Sequence, residues 1–245
     1  MIHGALAVYY RELLILKYRM SHLIPAFSVS PLLYLIAFGY AMGRHVEVGG
    51  HTYMEFLIPG LVAMNSMTQA FSISSEINIA RFYWYIFEEI QAAPVSDISY
   101  VTGTVLAGMT RALLAAIVIL FLGLLFGVTL SLNAGFWLAV LLNSFVFASL
   151  AVWLAMVVRS HADQMLMTGL VITPMAFLGG TFFPLENFPG WAQTLVGLLP
   201  LTHAAATIRA AAFGQPVSLV SLSVLLITGS LFFGIAVLCI RRAKD

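Results

Sequence analysis

Charge is scarce in this chain: Asp, Glu, Lys and Arg make up 9% of its 245 residues, against about 25% in soluble domains. Lysine is confined to Lys17 and Lys244 and the formal net charge is +1. That excludes the concentrated basic surface a nucleic-acid partner needs. Cysteine occurs once, as Cys239, so no internal disulfide can form, and no Cys/His group has metal-ligand spacing. Neither lysine sits in Gly-x-x-x-x-Gly-Lys-Ser/Thr, so the chain carries no phosphate-binding loop of its own. Inside the apolar stretches no two His, Asp, Glu or Cys residues fall on adjacent helical turns, which argues against a membrane enzyme; no catalytic residue, metal ligand or cofactor is assigned.

What is abundant is apolar. Hydrophobic residues are 61% of the chain, where soluble domains have about 45–50%. A hydrocarbon core about 30 Å thick takes roughly 20 residues of helix. The sequence therefore reads as an all-α integral membrane protein with six spans in a single transmembrane domain, 1–245, and no room for a separate soluble domain. Charges at Arg11, Glu12, Lys17 and Arg19 precede the first long apolar run, unlike a cleavable signal.

Residues 1–22 mix apolar and charged positions and fit an interfacial helix. Span one follows over 23–42, with Pro25 and Pro31, and span two over 56–75; between them lies a polar loop with Arg44, Glu47 and Gly49-Gly50. A charge-free stretch from Ala112 to Val158 is too long for one helix, and the region from Gly127 to Gly135 divides it into spans three and four. Span five, 164–181, is short and holds Pro174. Residues 182–213 are too apolar for a solvated loop and too broken to span, which fits re-entrant half-helices packed in protein. Span six runs over 217–240 before Arg241, Arg242 and Lys244. Most Lys and Arg fall on one side if both termini are cytoplasmic, leaving Arg44 and Arg209 outside.

One segment is unlike the rest. Over 77–93, Ile79, Phe82, Ile86 and Ile90 form one helical stripe, and Arg81, Tyr85 and Glu88 another, with Glu89 beside them and Ala93-Pro94-Val95-Ser96 at the close. This spacing predicts a surface helix between spans two and three, which serves either as an interfacial anchor or as a lever for a separate motor. Within span two, Asn65, Thr68, Gln69 and Ser72 share a face leading to Glu76; polar groups there serve either helix association or a transport path. Thr168, Ile172, Met175 and Gly179 make a comparable stripe on span five. Arg111, inside span three, either snorkels to the headgroups or pairs with Glu76 or Asp97. Gly123 and Gly127 form a Gly-x-x-x-Gly pair, and Phe182, Phe183, Pro184 and Trp191 read as interfacial aromatics and turn residues.

Three motifs resemble one family. Tyr53-Met54-Glu55-Phe56-Leu57-Ile58-Pro59-Gly60, the segment from Arg81 to Ser96, and Gly179-Gly180-Thr181-Phe182-Phe183-Pro184-Leu185-Glu186-Asn187-Phe188-Pro189 with Leu199-Pro200-Leu201-Thr202 are similar, in order and spacing, to ABC-2 type transporter permeases, the group of nodulation-factor exporters and daunorubicin-type resistance permeases. Tyr83-Trp84-Tyr85 departs from the basic, small or glycine residues that many relatives place there.

The resemblance implies an exporter subunit in the bacterial cytoplasmic membrane, paired with a second copy and with separate ATP-binding cassette subunits that hold ATP and Mg. It further implies that 77–93 is the coupling helix, with Arg81, Tyr85, Glu88, Glu89 and Pro94 at the motor contact. Asn65, Thr68, Gln69, Ser72, Thr168, Ile172 and Met175 would line the path, and Phe182, Phe183, Pro184 and Trp191 would form an outer gate. The substrate class it implies is amphipathic: a lipid-like molecule, glycolipid or drug. An ion-coupled carrier independent of ATP is the competing class, although Glu55 and Glu76 fall at span ends and no repeat relates the halves.

Overall fold

Helices account for almost all of the computed structural model, which describes residues 2–40 and 47–242; the side chains of Tyr40, Glu88, Ile90 and Gln91 lie outside that description. So do Arg44, Lys244 and the last residues of the expected first span. The first element, α1 (Ile2–Tyr34), runs on through a π-helical turn, Leu35–Tyr40. This corrects the expected boundary at residue 22, because the helix passes through both Pro25 and Pro31 without a break. A proline leaves the carbonyl four residues earlier without its helical donor. For Pro31 that carbonyl belongs to Phe27, and the Asn65 side chain donates to it at 3.4 Å. The orphan is satisfied from a neighbouring helix, as an apolar environment demands.

Strands β1 (Glu47–Val48) and β2 (His51–Thr52) form a small antiparallel ribbon, with Glu47 opposite Thr52 and Val48 opposite His51. Gly49 and Gly50 take φ of +60° and +81° at its turn, conformations that a side chain would strain. Helix α2 (Tyr53–Phe71) starts in a capping box: Glu55 N–H donates to the Thr52 hydroxyl, and Thr52 N–H to the Glu55 carboxylate at 2.8 Å. It continues almost directly into α3 (Ile73–Phe82), and after a turn at 83–85 comes the short α4 (Ile86–Ala92).

Helix α5 (Asp97–Leu125) is capped by Ser96 and α6 (Ala134–Val157) by Asn133, whose amide also donates to Ala211 O at 2.8 Å. Next, α7 (His161–Met167) joins α8 (Thr173–Leu178) through a π-helical turn, Thr168–Ile172. Then α9 (Gly190–Gly197) and α10 (Pro200–Ala212) meet at 91°, and α11 (Leu219–Arg242) closes the described chain.

Among the described residues five helical runs are long and apolar enough to cross a membrane: 2–39, 53–82, 97–125, 134–157 and 219–242. The α7–α8 run is the expected fifth span in chain order, and it is shorter and less apolar. The right angle between α9 and α10 fits the expected re-entrant half-helices better than a straight crossing.

At the centre stands α2, buried on nearly every side by α5, α6 and α10, while α6 also backs onto α11 and α1 lies along α5. Small residues permit these approaches. A Cβ on Gly103 would meet Ala5 O and the Val8 side chain at 2.7 Å, and one on Gly108 would meet Ala148 and Ala70 O at 3.0 and 3.1 Å. Of the Gly-x-x-x-Gly pair only Gly123 serves this way, against Ile58; Gly127 has φ +79° and ends α5 as a turn residue.

Neighbouring segments fix the ends of the bundle. Gly4 lies by Ser99, Arg81 by Ala155 and Asn78 by Gln164, while α11 runs parallel to α6, with Gly135 by Val217 and Trp153 by Phe232. The beginning of α1 and the end of α11 therefore share one end with Arg11, Lys17, Arg19, Arg81 and Arg159, here called the basic end.

Candidate functional site: a basic-end lever and a polar face on the central helix

The expected single helix at 77–93 is two pieces. Helix α3 stops at Phe82, the amides of Tyr83 and Trp84 both turn back to Ile79 O, and Tyr85 takes φ +54°, the only positive φ outside glycine among the described residues. Such a conformation in a residue with a Cβ is costly unless its surroundings impose it. Arg81 helps to impose it. Its guanidinium donates to Ala155 O near the end of α6 and lies 5.0 Å from the Phe82 ring centroid and 5.5 Å from that of Phe87.

Arg81 is thus a clamp joining α3, α4 and α6. The turn presents Tyr83, Trp84 and Tyr85 to the outside at 64%, 51% and 64% exposure. Glu89 and Pro94 are also exposed, and the Glu88 side chain lies outside the described residues.

Directly behind this turn is a charged node. Glu76 accepts from Arg111 at 2.6 Å and from Arg19 at 3.4 Å, and Glu12, on the facing helix, accepts from Arg11 at 2.7 Å. Arg111 is only 4% exposed. Its pairing with Glu76 decides between the two sequence readings, since the side chain ends on a carboxylate and not at open headgroups. A narrow cleft here, about 30 Å³, is lined by Arg11, Glu12, Arg19, Glu76 and Trp84 and touches α1, α3 and α5. Sequence reasoning took Glu12 and Arg19 only as charges ahead of the first apolar run; the eight-residue spacing of Arg11 and Arg19 on one helical face was the available signal.

A second buried junction was missed. Gln164 accepts from the Asn78 amide at 2.9 Å and donates to Ser74 at 2.7 Å, tying α7 to α3. This bond fixes which way α7 and α8 face. Ile172 and Met175, on the same side as Gln164, are buried inside the protomer, and Thr168 is half-buried. The outward face is Met165, Leu166, Leu170 and Phe177. The expected path stripe on span five therefore packs against the chain's own core.

On α2 the outcome is mixed. Asn65 is buried against Phe27 O, so it joins helices. Thr68, Gln69 and Ser72 are partly open, in line with Ser75, Glu76 and Ile79 on α3. The hydroxyls of Thr68 and Ser72 donate to carbonyls of their own helix, Met64 O and Gln69 O. Inter-helix hydrogen bonding is carried elsewhere, by Asn143, which donates to Ala63 O and to Ser66 at 2.9 and 2.8 Å.

At the opposite end the four expected gate residues diverge. Phe182 is buried among Tyr34, Phe38 and Phe177, with ring centroids 5.1, 5.2 and 5.5 Å away, and its carbonyl accepts from the Tyr53 hydroxyl at 2.9 Å. Phe183 and Trp191 are exposed, and Pro184 is half-buried. Arg209 was not singled out as a site. Its Nε donates to Phe56 O and its Nη2 to Gly180 O, and its guanidinium stacks 3.8 Å over the Phe56 ring.

Comparison with known proteins covers both ends of this arrangement. The ABC-2 type transporter family matches residues 5–213. Similar proteins include the inner membrane transport permease YadH of Escherichia coli (strain K12), 29% identical over 179 residues that cover 71% of this chain and 69% of the relative. Nodulation protein J of Rhizobium meliloti (strain 1021) is 32% identical over 197 residues, 79% of this chain and 75% of the relative. Nodulation protein J of Rhizobium leguminosarum bv. trifolii is 33% identical over 193 residues, with 76% and 72% covered. The chain belongs to the ABC-2 type transporter family, whose members form the membrane-spanning part of ABC transporters and work with separate ATP-binding cassette subunits.

Proposed function

We propose that this chain is the permease of an ATP-driven exporter in the bacterial inner membrane, assembled as two copies with two ATP-binding cassette subunits. The basic end is cytosolic, as the excess of Lys and Arg there argues, and both termini lie on that side. The motor docks on the turn and short helix from Tyr83 to Pro94, with Tyr85 and Glu89 at the contact. The single observation that carries this reading is the lever itself: an exposed aromatic turn rigidly clamped by Arg81 to α6 and backed by the Glu76–Arg111 pair on α5. A push on the turn moves α3, α5 and α6 together.

Nucleotide-driven closure of the motor subunits would bias the permease between two arrangements, and only a differential interaction with those arrangements can do so. Thr68, Gln69 and Ser72 face the path along the axis between the two copies. The cargo is amphipathic, in keeping with a face that sets three partly open polar groups along a mostly apolar helix. An ion-coupled carrier is disfavoured because Glu76, the acidic group nearest this face, is held by two arginines.

Co-expression with an ATP-binding cassette subunit tests the assignment. The expected outcome is a stable complex with vanadate-sensitive transport, and loss of coupled ATPase when Glu88 and Glu89 are both changed to Lys. Wild-type coupling in that variant would return the segment to an interfacial anchor; proton-driven transport without the motor would support the carrier.

A further inference from the structure

The end of the bundle opposite the termini holds an arginine without an acid. Among the described residues no carboxylate lies within salt-bridge reach of Arg209, whereas Arg111 has Glu76 at 2.6 Å. The carbonyls of Phe56 and Gly180 and the Phe56 ring satisfy part of its hydrogen bonding, but they cancel none of its charge. The group is partly buried, and it lines an open cleft of about 330 Å³ between α10, the β1–β2 ribbon and the turn after α8. Gly179, Gly180, Ala206 and Ala210 keep the walls small, and His51, Thr202 and Gln215 add polar groups.

We propose that this cleft binds an anionic head group, a phosphate or carboxylate, with Arg209 as its counter-charge. A guanidinium presents a planar fork of donors that suits such an anion. Two of its nitrogens pin backbone carbonyls, which pre-orients the fork, so little side-chain entropy is lost on binding. Glu186 lies on the same lining, but it is exposed, where water and salt screen its charge more than that of a partly buried cation. A pin alone would need no space in front of it; the cleft is the feature that a ligand explains. The site is independent of motor coupling, so it stands or falls separately from the export reading.

The head group can belong to a lipid or be free in solution, and one set of measurements separates these. The full chain, in complex with its ATP-binding subunit in nanodiscs, is titrated with phosphatidic acid, with diacylglycerol and with inorganic phosphate, using native mass spectrometry and thermal shift. Phosphatidic acid is expected to bind in preference to diacylglycerol if the source is lipid, and inorganic phosphate alone to stabilise the protein if the source is a free anion. Ala206 lies one turn before Arg209 on the same face and is exposed, so substitutions there spare the pin. Ala206→Glu should weaken and Ala206→Lys strengthen anion binding, each by about tenfold. Arg209→Gln should abolish binding if it folds. Equal anion affinity in Ala206→Glu and Ala206→Lys, or no preference for either anionic probe in the wild type, overturns the proposal. Transport measured on the same preparations reports on the export reading alone.

Discussion

Arg111 and Asn65 show how one side chain's partner decides its role. Arg111 could have extended to the headgroups; instead it ends on Glu76, deep between α5 and α3. Removing Arg111 leaves a partly buried Glu76 with only its longer contact to Arg19, so Arg111→Leu should cost about 2–3 kcal/mol. Arg19, which meets the same carboxylate at 3.4 Å from an exposed position, should cost under about 1 kcal/mol when changed to Ala. The double variant Glu76→Leu/Arg111→Leu should recover most of the loss, because the only charge left unpaired is that of Arg19, which is exposed to solvent. Chemical denaturation in detergent measures all three, and equal effects of Arg111→Leu and Arg19→Ala would show that the pair is not stabilising. Asn65 was legible from the sequence as an intramembrane polar group. Its true partner was not, because the Phe27 carbonyl needs a donor only through Pro31, on another helix.

At the level of elements, the long helices α5 and α6 could be read directly, since Ser96, Gly127 and Asn133 mark their ends by capping and turn chemistry, and α11 from its charge-free run before Arg241 and Arg242. The segment over 77–93 could not. Its 3.6-residue pattern continues through 83–85 with no Gly or Pro to interrupt it, and the break is imposed by contacts that sequence spacing does not show: Arg81 to Ala155 O and the rings of Phe82 and Phe87. The inward face of α7 and α8 was hidden for the same reason, since Gln164 finds Ser74 and Asn78 about ninety residues away. Tyr85 then offers a test of the lever. A residue with a Cβ loses roughly 1–2 kcal/mol at such a left-handed φ and glycine does not. Tyr85→Gly should therefore leave thermal stability unchanged or slightly higher, while coupled ATPase falls because the exposed aromatic contact is gone. Full coupling with raised stability would mean that the ring is a lipid anchor and the motor binds elsewhere.

Across the whole molecule, α2 beyond its first turn is enclosed except along one line, and that line is polar. Thr68, Gln69 and Ser72 stand partly open, while Asn65, Ser66 and Asn143 are buried in bonds between helices or to neighbouring turns. Polar side chains turned to lipid are disfavoured, so the open line is matched either by a second copy or by a water-filled space. Helix association predicts inter-helix bonds at these positions; among the described residues Thr68 and Ser72 bond only to carbonyls of α2 itself. Gln69→Leu and Thr68→Val should consequently change stability by no more than about 0.5 kcal/mol, and leave assembly with the motor intact, but alter transport of amphipathic cargo. Asn65→Leu should behave in the opposite way, costing about 1 kcal/mol by freeing the Phe27 carbonyl, with transport per folded complex little changed. Parallel transport and unfolding measurements on the three variants separate the roles. If Gln69→Leu and Thr68→Val dissociated the assembly and left cargo transport by the surviving complexes unaltered, the line would be a seam between copies and the path would lie elsewhere.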